Sequence, residues 1–146
     1  MMSRFKELFD AIKYRRSVRL FSPKEVPRDV IERVLESAIW APSACNRQLW
    51  RFLIITDPEL KTKLVYEARA VDTLLNAPVI IAIFYDVRHE LSPNESALSV
   101  GMAVQNMMLI AHSLGLSTCP IAGVKYLDFV NKVLGVPQYL SLIHIS

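Results

Sequence analysis

Glycine is scarce in this sequence. Only four of the 146 residues are glycine, and none of them lies in the first hundred positions. P-loops and Rossmann fingerprints need clustered glycines, because the backbone must approach the phosphates closely. Both kinds of nucleotide site are therefore excluded. A nucleotide-like ligand would have to be held largely by side chains.

Cysteine and long apolar runs are also rare. Cys45 and Cys119 form no Cys-x-x-Cys pair and no cysteine–histidine cluster, so we expect free thiols and no metal site. No apolar run approaches the ~20 residues of a membrane span. Residues 1–10 mix charged and apolar side chains, unlike a secretory signal. At 52% hydrophobic residues, we expect one cytoplasmic domain with a substantial core and no membrane partner.

The positive charge is modest but locally concentrated. The formal net charge is +3, and the segment Arg15–Arg19 carries three arginines and a serine. An arginine fork matches phosphate oxygens, and Arg15 and Arg19 would share a face of a helix. On spacing alone, an exposed basic helix end is the favoured interpretation. No aromatic residues interleave with the arginines, so we expect no nucleic-acid partner, whereas a phosphate-bearing ligand stays open.

Two further stretches carry chemically useful groups. Within residues 42–50, Asn46 and Gln48 offer donors and acceptors that can read the edge of a heterocycle. Within residues 120–123, glycine allows a backbone N–H to approach a ligand. Each stretch, taken alone, is better interpreted as an ordinary turn.

Hydrophobic periodicity predicts helices alternating with two buried strands. This order favours a mixed sheet flanked by helices. The predicted helices end near Tyr14, before Pro42, near Ala70, at Leu114 and at Leu134. The predicted strands cover 50–56 and 79–85, and the long apolar helix begins at Asn94 or Ser96.

Taken in order, these segments resemble the nitroreductase family of flavoproteins. The family's Arg-Arg/His-Ser-x-Arg/Lys segment corresponds to Arg15–Arg19. Its long apolar helix with a Gln-Asn pair and a following Gly-Leu corresponds to the stretch from Gln105-Asn106 to Gly115-Leu116. The resemblance covers about residues 5–137 of a single domain spanning 1–146. The family's Pro-Ser-x-x-Asn-x-Gln-Pro-Trp-x-Phe loop is matched by Pro42, Ser43, Asn46, Gln48, Trp50 and Phe52.

The resemblance implies an α+β fold of three layers (α/β/α), in which helices flank a mixed, mostly antiparallel sheet. It also implies an FMN-dependent oxidoreductase that transfers hydride in two steps. NAD(P)H would reduce the flavin and leave, and a nitroaromatic, quinone or similar acceptor would then bind. Chemistry at the flavin N5 needs no catalytic side chain. The flavin site would lie at the interface of a homodimer. The implied FMN-binding residues are Arg15, Arg16, Ser17 and Arg19 for the phosphate and ribityl chain, Ser43, Asn46 and Gln48 for the flavin and ribityl groups, and Ile121, Ala122 and Gly123 near N5.

Three departures from the family pattern stand out. Leu49 replaces the usual proline, so we expect Gln48 to be placed less firmly. Ala122 stands where some members carry glutamate. Residues 140–146 match no family feature and are interpreted as a non-native tail, so we expect the C-terminal strand and tail to be missing and FMN binding to be weak. Alternative functions are a flavin-binding protein without turnover, a relative with different reductive chemistry, and an anion- or nucleic-acid-binding module that uses Arg15–Arg19.

Overall fold

The computed structural model describes residues 2–68, 73–121 and 127–145. The helices are α1 (Met2–Tyr14), α2 (Arg28–Ile39), α3 (Pro58–Ala68), α4 (Thr73–Asn76), α5 (Pro93–Ser113) and α6 (Leu127–Leu134). The strands are β1 (Trp50–Ile55), β2 (Ile80–Asp86) and β3 (Leu140–Ile145), and two 3₁₀ turns cover Ala44–Asn46 and Val87–His89.

The three strands form an antiparallel sheet in the order β1-β2-β3. Trp50 lies opposite Tyr85 and Ile55 opposite Ile80, so β1 and β2 pair along the whole of β1. Every residue of β2 is buried. A central strand with both faces covered is expected to be continuously apolar, as the sequence Ile-Ile-Ala-Ile-Phe-Tyr is.

Alternate residues of β2 enter two separate cores. Ile81, Ile83 and Tyr85 belong to a cluster with α2 and α5. Ile80, Ala82 and Phe84 belong to a second cluster with α3, α4 and α6. Helices therefore cover both faces of the sheet, which confirms the predicted three-layer fold class.

Helix ends mostly follow the predicted signals. Asp57 caps α3, because its carboxylate accepts from Leu60 N–H at 2.7 Å. Gly115 ends α5 with φ of 78°, a left-handed conformation that favours glycine. The start of α5 was predicted too late in the chain. Ser92 is the N-cap, its hydroxyl accepting from Glu95 N–H at 3.3 Å, and Pro93 takes the first helical position.

The C-terminal segment forms a strand, β3, although we expected the C-terminal strand to be missing. Leu140–Ile145 pairs antiparallel with β2, with Leu140 opposite Asp86 and a register shift between Ile83 and Phe84. Leu142 is buried in the second core. The segment can form a strand because its apolar residues meet an otherwise open edge of β2. Its interpretation as a non-native tail stays a prediction.

Among the described residues, no helix has the length and apolar character needed to cross a bilayer. Cys45 is exposed and Cys119 is buried, and both are free thiols. Within the described ranges, no three histidine, cysteine, aspartate or glutamate side chains are grouped as a metal site would require.

Candidate functional site

The basic segment after α1 is extended rather than helical. Ser17 forms a parallel β-bridge with Thr118, and Val18 N–H donates to the Thr118 carbonyl at 3.0 Å. Alternate residues of an extended chain lie on one side. Ser17 and Arg19 are therefore expected on one side of the extended part, whereas Arg15 N–H still bonds to the Ala11 carbonyl of α1 at 3.1 Å.

Arg16 has a different role in the structure. Its Nη1 donates to the Lys13 carbonyl at 2.7 Å and to the Arg15 carbonyl at 2.9 Å. These contacts satisfy carbonyl groups at the end of α1 and place a cation at the negative end of the helix dipole. Arg16 therefore acts as a cation at a helix end, which is the interpretation that spacing alone favours for this segment.

Arg15 presents a buried donor that lacks a partner. Its side chain is half-buried, and no hydrogen-bond partner of Nη1 exists among the described residues. A buried unsatisfied donor costs about 1–3 kcal/mol, and more when the group is charged. Native structures rarely keep such a group unless a ligand, ion or water completes it. An anionic ligand at this position would supply the missing acceptor.

The β-bridge also brings the chain leading to residues 120–123 close to the basic segment Arg15–Arg19. Thr118 pairs with Ser17, and Ile121 follows three residues later, partly buried against the second core. Ala122 and Gly123 lie outside the described residues, so their predicted contacts stay predictions. The structure therefore unites the basic segment with the chain that leads into the predicted N5 contacts.

The predicted stretch at residues 42–50 contains a loop of unusual backbone geometry. Cys45, Asn46 and Gln48 have φ values of 50°, 53° and 51°, in the left-handed region that glycine normally occupies. Each such residue costs about 1–3 kcal/mol, with asparagine tolerating it best. The cost persists only where surrounding contacts fix the loop. Strained backbone of this kind is frequent at ligand-binding sites.

Several hydrogen bonds fix this loop, which we call the amide loop (residues 43–48). Within it, the Ser43 hydroxyl accepts from Gln48 N–H at 3.0 Å. The buried Ser99 of α5 accepts from Ala44 N–H at 3.3 Å. The side chains of Asn46 and Gln48 are exposed and make no hydrogen bond within the described part of the chain, so both amides are free to contact a ligand.

The flanks of the amide loop are equally well fixed. Leu49 is buried in the first core, and its carbonyl accepts from Asp86 N–H at 3.0 Å. Arg51 Nη1 donates to the Gln48 carbonyl at 3.3 Å. These contacts hold Gln48 in place without the proline that the family usually has before the tryptophan.

Asp86 organises the turn beside the loop. Its buried carboxylate accepts from Arg88 Nε at 2.9 Å and from Arg88 Nη2 at 2.6 Å. These hydrogen bonds lower the pKa of Asp86 to about 2, overcoming the opposing effect of burial. The Arg88 guanidinium also lies 3.6 Å from the centre of the Tyr139 ring. The end of β2 and the start of β3 are thereby joined.

Sequence reasoning did not identify Arg47, Ser99 or Asp86 as supports of the site. Arg47 Nη1 donates to the His89 carbonyl at 2.6 Å, a contact across 42 positions of sequence. Ser99 lies in a mainly apolar helix, where one serine is unremarkable. The sequence shows the apolar run that ends at Asp86, but it does not show that the Asp86 carboxylate binds Arg88.

The amide loop and the basic segment attach near opposite ends of α5. The loop bonds to Ser99, whereas the chain leading to Thr118 bonds to Ala111, whose carbonyl accepts from Leu116 N–H at 2.9 Å. Twelve residues of helix separate these anchors by about 18 Å. The amide loop and the chain that pairs with the basic segment are thus anchored at different points along α5.

A separate cavity of about 490 Å³ lies between α2, α5 and the chain after α5. Its walls are mainly apolar and include Val34, Met107 and Cys119. Ile121 lines it, but the predicted residues of the basic segment and the amide loop do not. This cavity is therefore distinct from the surfaces that carry the predicted polar contacts to FMN.

The fold and these segments define a three-layer α+β domain with a basic segment and a fixed amide loop, and comparisons identify its family. The profile of the nitroreductase family matches residues 12–71 and 65–145. The chain belongs to the nitroreductase family.

Individual relatives agree with this assignment. Protein DrgA from Synechocystis sp. is 37% identical over 164 aligned positions, covering 90% of this chain and 78% of DrgA. A Desulfovibrio desulfuricans protein solved in complex with FMN has a TM-score of 0.85 at 31% identity, covering 94% of this chain and 82% of its own. An FMN-dependent nitroreductase from Clostridium difficile has a TM-score of 0.84 at 26% identity, covering 94% and 83%.

Proposed function

We propose that this chain binds FMN and acts as an NAD(P)H-dependent oxidoreductase that reduces nitroaromatics, quinones or similar acceptors by two-step hydride transfer. Membership of the nitroreductase family supports an oxidoreductase. The FMN named for two similar structures supports the cofactor. The use of NAD(P)H rests on the family resemblance, and a cytoplasmic place of action stays an expectation from the sequence.

The observation that carries this proposal is the buried, unpartnered Nη1 of Arg15. It lies in the segment that the resemblance assigns to the FMN phosphate, and it calls for an acceptor. A phosphate oxygen is a strong, charged acceptor for a guanidinium N–H. Ser17 and Arg19, both exposed on the same extended segment, add a hydroxyl and a second cation. The residues present therefore fit the phosphate end of FMN.

The other end of the cofactor fits the amide loop. Asn46 and Gln48 have free side-chain amides, each with donors and an acceptor, on a backbone fixed by Ser43 and Ser99. Such groups can orient a flavin through its pyrimidine edge and ribityl hydroxyls. When bound, FMN supplies the centre that accepts and donates hydride, and the protein supplies position and electrostatics. Ile121 and the predicted contacts of Ala122 and Gly123 would border the reactive face.

We propose that the complete site is built by two copies of the chain. In one chain the amide loop bonds to Ser99 and the chain leading to Thr118 bonds to Ala111, two anchors about 18 Å apart along α5. Two copies related by a twofold axis would let the basic segment of one face the amide loop of the other. In this arrangement one FMN can contact the basic segment of one chain and the amide loop of the other, although the two segments are anchored at different points along α5.

The surface of α1 supports a second copy as partner. Phe5, Leu8, Phe9 and Ile12 form an apolar stripe at helical spacing, yet each is at least half exposed. Trp40, at the end of α2, is 78% exposed. Such extensive apolar exposure is typical of an interaction surface. Burial of this surface in a homodimer would place α1, and with it Arg15–Arg19, beside the partner.

The test is an NAD(P)H oxidation assay after incubation of the purified chain with FMN. Oxidation that requires FMN and a nitroaromatic or quinone acceptor is expected. FMN binding without oxidation would favour the flavin-binding protein without turnover. Absence of FMN binding, with binding of inorganic phosphate retained, would favour the anion-binding module. FMN-dependent NAD(P)H oxidation that neither a nitroaromatic nor a quinone accelerates would favour a relative with different reductive chemistry.

A further inference from the structure

We infer that Arg47 is a positioning residue for the flavin: its hydrogen bond to the His89 carbonyl holds the amide loop in the backbone conformation that presents Asn46 and Gln48. This inference rests on the proposed function. Arg47 itself is exposed and is not among the residues expected to touch FMN. Its effect would pass through the loop backbone.

The contact is well placed to control the loop. Arg47 lies between Asn46 and Gln48, the two residues with free amides and left-handed backbone. Its guanidinium spans to the 3₁₀ turn Val87–His89 and donates at 2.6 Å, a short, charge-assisted hydrogen bond. A large rotation of the loop backbone at Arg47 would carry the guanidinium away from this carbonyl.

The acceptor side of the contact is rigid. Asp86 caps the 3₁₀ turn by accepting from Arg88 N–H at 3.2 Å and binds the Arg88 side chain through both carboxylate oxygens. Val87 N–H donates to the Tyr139 carbonyl at 3.0 Å. The His89 carbonyl is therefore presented from a turn tied to β2 and to the residue before β3. A rigid acceptor lets one side chain fix the conformation of a strained loop.

Other contacts hold different parts of the loop. Ser99 accepts from Ala44 at its beginning, and Arg51 donates to the Gln48 carbonyl at its end. Among the described residues, Arg47 is the only one in the middle of the loop whose side chain bonds to another element. We therefore expect its loss to loosen Asn46 and Gln48 while the loop ends stay attached.

Three variants test the inference. Arg47→Met keeps the length of the side chain and removes the donor. Arg47→Lys keeps one N–H donor, which suffices because only Nη1 contacts the His89 carbonyl. Arg28→Met is the matched control, because Arg28 is an exposed arginine whose side chain bonds only Glu32 on its own helix.

Two measurements separate this inference from the proposed function. Hydrogen–deuterium exchange of the ligand-free chain should show faster exchange of the Gln48 amide in Arg47→Met, with Arg47→Lys and Arg28→Met like the original chain. Fluorescence titration with FMN should show about tenfold weaker binding in Arg47→Met, equivalent to about 1.4 kcal/mol, and less than threefold change in the other two.

Unchanged exchange at Gln48 in Arg47→Met would overturn the inference, as would unchanged FMN affinity. A failure of Arg47→Lys to restore either property would also overturn it, since a donor at this position would then not be what matters. If the original chain does not bind FMN, the proposed function fails, and the exchange measurement still decides whether Arg47 holds the loop.

Discussion

Replacement of Arg15 by methionine separates a ligand-binding role from a structural role. Arg15 carries a buried Nη1 that lacks a partner among the described residues. A hydrogen bond from a charged group to phosphate contributes about 1.5–3 kcal/mol. Its loss in Arg15→Met should therefore weaken FMN binding roughly 10- to 150-fold. The stability of the ligand-free chain should not decrease, because Nη1 is an unsatisfied donor and the substitution removes no hydrogen bond made by it.

The two effects have opposite expected signs, which makes the prediction sharp. The free energy of unfolding of the ligand-free variant should be unchanged or higher by about 1 kcal/mol. FMN fluorescence titration and urea denaturation measure the two quantities. Arg33→Met, at an exposed arginine of α2, serves as control and should change neither. A variant that loses stability but keeps its FMN affinity would refute the reasoning, because Arg15 would then serve the fold.

Three further predictions address the turn at Asp86, the dimer and the shared site. The depressed pKa of Asp86, about 2 against ~3.9 unfolded, stabilises the fold above pH ~4, and this stabilisation declines as the pH falls towards 2. Arg88→Met should therefore lower the urea midpoint at pH 5 and show a smaller further decrease at pH 3. Phe9→Lys should convert a dimer to monomers in sedimentation velocity, since it places a charge in the apolar stripe of α1. Mixing Arg15→Met with Asn46→Ala chains should restore FMN binding towards that of the original chain, because one site of each heterodimer then has both original residues.

Each of these has a contradicting outcome. An equal loss of stability between pH 5 and pH 3 with and without Arg88 would remove Asp86 as its cause. Glu7→Lys is the control for the dimer, since Glu7 lies on the opposite face of α1. Equal effects of the two lysine substitutions would contradict the assigned interface. Mixed chains that bind no better than either variant alone would contradict a site shared between subunits.

Much of the fold could be predicted because local sequence and tertiary environment agree. The apolar run of β2 is continuous, and the strand is buried throughout. Asp57 and Gly115 are strong helix signals that act through bonds to their own neighbours. The order and spacing of the family segments were likewise visible in the sequence. These features depend on short-range geometry, which the sequence displays directly.

The features that could not be predicted depend on contacts between distant segments. Nothing local indicates that Ser17 pairs with Thr118, or that Arg47 reaches the His89 carbonyl. Left-handed backbone at Cys45 and Gln48 runs against local preference and persists through surrounding bonds. Strand β3 depends on the open edge of β2, which a linear pattern does not show.

The central claim is that this chain binds FMN through Arg15 and the amide loop. A titration of a fixed concentration of FMN with the purified chain tests it most directly, because a flavin held by the protein changes its fluorescence. We predict a saturable change that reaches its plateau at one FMN per chain. Fluorescence that stays at the value of free FMN, at chain concentrations far above that of the flavin, would contradict the account.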